Sequence, residues 1–243
     1  MLYQIHVNSP ADYEKGLAGI GVGINYLIRN DFLKVEDDIC EDFDGRMFRA
    51  VMYDPWQDFS QYDGLIGYGR YWMTRLRYPA AAAQARECLL YIIRKINEQL
   101  PDISILEQTD VYCFLYDVCQ IQGFDIDDID VGARHALPLR QYRQYLEQSR
   151  REWDIQSMID FSRLGNSSVG NIVRKVHQCR YFGYDLYDGR DLHEEIDASL
   201  KQIPDLDMEK PPSSTGLLTG YAGEGLLRLT ALNQANTSWM QLL

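Results

Sequence analysis

The chain has 243 residues, with 24 Lys+Arg against 36 Asp+Glu and a formal net charge of −12. With 46% hydrophobic and 25% charged residues it has an ordinary globular composition, which excludes a largely disordered chain. Such acidity argues against nucleic-acid binding, which needs a concentrated basic surface, and no apolar stretch reaches the roughly 20 residues that cross a bilayer.

In chain order, Gly16, Gly19, Gly21 and Gly23 open the first apolar run, which continues through Ile24, Tyr26, Leu27 and Ile28. Val35, Ile39, Phe43, Met47, Phe48 and Val51 then recur at three- and four-residue steps, the period of a helix with one buried face. Gly64, Gly67 and Gly69 start a second apolar run through Tyr71, Trp72, Met73 and Leu76. Pro79 suits the first turn of a helix that buries Ala82, Ala85, Leu89, Ile92, Ile93, Ile96 and Leu100, with Pro101 closing it. A further helical run extends from Asp110 to Val118.

Downstream, the acidic segment Asp125–Asp130 lacks the ligand spacing and glycine of a calcium loop, and reads as a solvated turn. Pro138 interrupts residues 133–163, whose arginines are diluted by Glu147 and Glu152. Gly165 to Gly170 precedes Ile172, Val173 and Val176. Asp191 with Glu194 forms a capping box for a helix burying Leu192, Ile196, Leu200 and Ile203. Gly216, Gly220, Gly223 and Gly225 introduce the last apolar run.

These segments recur. Gly19 to Gly67 is 48 residues, and Gly67 to Gly223 is 156, three times 52, with weaker copies at Asp110–Val118 and Gly165–Gly170. A period near fifty points to a repetitive architecture. Each unit pairs a glycine-started, strongly apolar helix with an amphipathic one, and sustained two-residue alternation is absent. The expected fold is all-α: an α/α toroid or partial toroid of about five helical hairpins, forming one domain over residues 1–243, with the glycine-started helices inside.

Glycine in a helix interior costs about 0.5–1 kcal/mol relative to alanine, so repeated glycines need a reason. At a helix start they admit a close backbone and leave N–H groups that could face an anion. The spacing Gly19-Ile20-Gly21-Val22-Gly23 is not that of a dinucleotide loop, and no strand pattern precedes it. Close packing is the expected reason. Gly16, Gly19, Gly21, Gly64, Gly67, Gly170, Gly220 and Gly223 are accordingly read as structural.

Gly16-Leu-Ala-Gly-Ile-Gly and the segment from Gly216 to Leu229 resemble the glycine repeats of the lanthionine synthetase C-like proteins. That resemblance implies an α/α toroid of seven inner and seven outer helices, of which this chain would supply the last five hairpins. It also implies zinc-dependent addition of peptide cysteine thiols to dehydrated Ser/Thr, with ligands from a Trp-Cys and a Cys-His-Gly motif. Tyr112-Cys113 best matches the first motif. Gly165-Asn166-Ser167-Ser168-Val169-Gly170-Asn171 best matches the second, with Gly165 and Asn166 in the Cys and His places. One ligand candidate, Cys113, survives, and one thiolate cannot build the three-ligand open site of catalytic zinc. The expected site is a degenerate zinc site without a cofactor.

Other candidates are carboxylates and aromatics around the apolar helix starts. Asp63, Asp110 and Glu224 are read first as helix-terminal carboxylates, and as possible acid–base groups if an α/α-toroid glycoside hydrolase shares this scaffold. Tyr68, Trp72, Tyr112 and Tyr221 are candidate binding aromatics. None of the four histidines has a recognisable triad partner nearby in sequence. Five cysteines without a CxxC pair, and no secretory signal pattern, lead to the expectation of a cytoplasmic protein with reduced thiols. The expected role is a peptide-binding or accessory module in modified-peptide biosynthesis, with a peptide, a modification enzyme or a second copy as partner. The alternative is an enzyme on the same scaffold, either a divergent thioether cyclase or a glycosidase.

Overall fold

A computed structural model describes residues 10–99 and 102–121, together with Tyr181, Glu194, Ala198, Lys201 and Arg228. Contacts divide the chain into two units, Met1–Gln156 and Ser157–Leu243, and the elements below lie in the first. They are α1 (Leu17–Arg29), α2 (Glu41–Met52), α3 (Leu65–Arg75), α4 (Pro79–Gln99) and α5 (Ile105–Cys119). The described residues contain no strand, so this part of the chain is all-helical as expected. No helix among them is long and apolar enough to cross a membrane. The expected glycine segments at 165–170 and 216–225, and the helix over 191–203, lie outside the described residues.

α3 is the central helix, touching α1, α2, α4 and α5, while α2 also touches α1 and α4. Trp72, Tyr71, Leu65 and Ile66 of α3 are buried at the centre, against a core that includes Met47, Leu89, Ile92 and Phe114. α4 keeps most of its expected stripe: Ala85, Leu89, Ile92, Ile93 and Ile96 are buried and are joined by Ala81 and Cys88, whereas Ala82 is half-buried and Leu100 and Pro101 lie outside the described residues.

Two starts differ from expectation. The apolar spacing predicts a helix from Val35, but α2 begins at Glu41. The reason is a turn at Asp38, whose side chain accepts the Cys40 N–H at 3.1 Å while its carbonyl accepts the Glu41 N–H at 3.1 Å. Glu41, Asp42 and Asp44 then fill the first turn, where the helix dipole favours negative charge. α5 begins before Asp110 rather than at it. Ser104 caps it, accepting the Glu107 N–H, while the Glu107 carboxylate reaches back to the Ser104 N–H, a complete capping box. Asp110 is therefore inside a helix.

α1 and α3 open alike. Their N-cap residues, Gly16 and Gly64, have extended backbones with ψ of −166° and −169°. In each case the loop six or seven residues upstream folds back on the helix start. The Leu17 N–H donates to the Pro10 carbonyl at 2.9 Å, and the Leu65 N–H donates to the Asp58 carbonyl at 3.0 Å. In its first two copies, the sequence repeat is thus a repeat of backbone geometry.

Candidate functional site

The structural glycines perform two distinct jobs. A Cβ at Gly19 would strike the Tyr13 carbonyl, and one at Gly67 the Gln61 carbonyl, so these positions admit the folded-back loop. A Cβ at Gly21 would meet the Tyr71 ring, and one at Gly69 the Phe114 ring at 2.5 and 2.8 Å. Each of these glycines receives an aromatic side chain from the next odd-numbered helix. The N–H groups at the two helix starts are also occupied: Ala18 donates to the Ala11 carbonyl and Leu17 and Leu65 donate as described above. An anion at these termini would have to displace the loops.

Between α3 and α5 lies a buried polar network. The Arg70 guanidinium pairs with the Asp117 carboxylate, and its Nε donates to Gln61 Oε1 at 3.3 Å. Both charged side chains are almost wholly buried, which is tolerated because each charge meets its opposite. The Tyr13 and Tyr62 hydroxyls adjoin this network, and burial raises the pKa of both; the Arg70 charge acts in the opposite direction on each. α5 also holds the loop before α3. Glu107 Oε1 accepts the Phe59 N–H at 2.7 Å, and Asp110 Oδ2 accepts the Gln61 N–H at 2.8 Å.

A second network joins α2 to α3. Arg75, with no exposed surface, donates through Nε and NH2 to Asp44 at 2.9 and 2.7 Å, and through NH1 and NH2 to Asp38 at 2.9 and 2.6 Å. Its guanidinium also lies 4.5 Å from the centre of the Tyr78 ring. Burial works against the Arg75 charge, but the hydrogen bonds it donates to the two carboxylates outweigh it and hold the pKa above its ordinary value. The Tyr71 hydroxyl donates to Asp44 Oδ1 at 2.5 Å, and burial together with that carboxylate pushes its pKa up. Nearby, Asn25 Nδ2 donates to the Gly21 carbonyl at 2.9 Å and to Thr74 Oγ1 at 3.2 Å, tying α1 to α3. Cys40 sits in this corner with its thiol pushed up to about 12, chiefly by burial.

The residues singled out by sequence occupy different environments. Asp63 is exposed, whereas Asp110 is half-buried and engaged with the Gln61 backbone. Trp72 is buried and packs edge-on against Tyr71 at 5.2 Å, a core position rather than a contact surface. Tyr68 is half-buried, with Asp12, Arg46, Asp54 and Asp58 close enough to influence its hydroxyl; burial and the three aspartates raise its pKa. Tyr112 is half-buried and faces Tyr116 of its own helix, with ring centres 6.2 Å apart. Tyr221, Glu224, Gly170, Gly220 and Gly223 lie outside the described residues.

Cys113 is buried in α5. Among the described residues no three His, Cys, Asp or Glu side chains form a group able to hold a metal ion. Gly165 and Asn166, at the positions the resemblance would make zinc ligands, carry neither thiolate nor imidazole. Sequence reasoning missed Arg70, Arg75, Asp44 and Asp117. The available signal was two arginines inside the otherwise apolar stretch Leu65–Leu76.

Comparison with known proteins adds no relative: no family model, no curated protein and no solved structure matches the sequence.

Proposed function

We propose that this chain is a lanthionine synthetase C-like protein that works in the cytoplasm as a peptide-binding or accessory module in modified-peptide biosynthesis, without zinc chemistry. The observation that carries the reading is the duplicated helix start, in which loops 10–16 and 58–64 fold back on α1 and α3 through matching hydrogen bonds. Contacts of α3 with both α1 and α5, and of α2 with α4, are those that successive α/α hairpins in an arc would make. Loss of the Cys and His at Gly165 and Asn166 supports binding over cyclisation. The half-buried Tyr68, which feels the charges of Asp12, Arg46, Asp54 and Asp58, is the aromatic we assign to meeting a peptide.

The test is titration of the purified chain with a dehydrated, cysteine-containing peptide and, separately, with zinc. The expected result is saturable peptide binding, weakened by Tyr68→Ala, with no thioether formed and no stoichiometric zinc uptake. Absence of peptide binding would overturn the reading, as would tight zinc uptake. Ring formation abolished by Cys113→Ser would establish a divergent cyclase instead. Hydrolysis of aryl glycosides, lost in Asp63→Asn or Asp110→Asn, would establish the glycosidase; the Asp110 hydrogen bond to Gln61 argues against it.

A further inference from the structure

We draw no further inference here: the strongest candidate, the partly exposed apolar flank of α1 formed by Ile20, Gly23, Ile24 and Leu27, carries none because nothing in the structure shows what covers it.

Discussion

Tyr62 and Asp110 stand 48 residues apart and accept equivalent hydrogen bonds through different atoms. The Tyr62 backbone carbonyl takes the Tyr13 N–H at 2.9 Å, while the Asp110 carboxylate takes the Gln61 N–H at 2.8 Å. The donors, Tyr13 and Gln61, are also 48 residues apart. Where the third copy of the repeat has no folded-back loop, a side chain supplies the acceptor. Asp110→Ala leaves a buried N–H unsatisfied and should cost about 1–3 kcal/mol in urea unfolding. Asp110→Asn keeps an acceptor oxygen and should cost clearly less. Equal losses in the two variants would show that the negative charge, not the acceptor, is what matters.

The glycines divide into those that touch something and those that do not. Gly23 and Gly45 are helical, and a Cβ at either would meet nothing within 4 Å. Alanine at these two positions should stabilise the chain by about 0.5–1 kcal/mol each through helix propensity. Gly21→Ala and Gly69→Ala should instead destabilise it by about 1–3 kcal/mol, because Tyr71 and Phe114 must move. Gly19→Ala should fall at the upper end of that range, since its obstacle is backbone. Thermal melts of the five variants read the sign directly.

Arg75 neutralises two carboxylates at once, so its removal should be costly. Arg75→Met strands Asp38 and Asp44 beside an apolar side chain and should destabilise by about 3–5 kcal/mol. Arg75→Lys should recover only part of this, because an ammonium cannot form paired bonds to two carboxylates. A lysine variant as stable as the parent would show that charge alone suffices.

The same contact predicts an acid response. Burial raises the Asp38 pKa, but hydrogen bonds from Arg75 and from the Cys40 N–H, with the Arg75 charge, outweigh it, and the net shift is below the ordinary 3.8. A carboxyl whose folded pKa is depressed stabilises the fold above its unfolded pKa, and that contribution disappears as pH falls through the folded value. The stability gap between the parent and Asp38→Asn should therefore be full at pH 7 and narrow below about pH 4. A gap independent of pH would assign the contribution of Asp38 to shape rather than charge.

Thiol reactivity should be uneven. Burial raises the pKa of Cys40 and Cys88, aided at Cys88 by the Glu87 and Asp44 charges, and a thiol reacts as its thiolate. Cys119 is exposed at the end of α5. Brief alkylation of the native chain at pH 8, mapped by mass spectrometry, should label Cys119 well before Cys40, Cys88 and Cys113. Equal labelling would mean that the core around Cys40 and Cys88 opens readily.

The helices were largely legible because their signals are local. Pro79 and the stripe through Ile96 define α4, and glycine followed by an apolar run defines the starts of α1 and α3. The start of α2 was misplaced because Val35 and Ile39 keep the helical spacing, whereas the turn is set by Asp38, which Arg75 holds from 37 residues away. At α5 the capping-box spacing of Ser104 and Glu107 marks the true start, but the stronger apolar run begins only beyond Asp110. The polar networks were not legible at all. A charge on a helix reads as solvent-facing unless its partner is known, and Asp117 is 47 residues from Arg70.

The seating of Tyr71 on Gly21 and of Phe114 on Gly69 has a mechanical consequence. A ring lodged where a side chain is missing resists axial sliding between adjacent helices, much as a tooth in a rack does. Shear between α1 and α3, and between α3 and α5, is thereby opposed. Enlarging either notch residue is therefore best tolerated together with a smaller tooth on its neighbour.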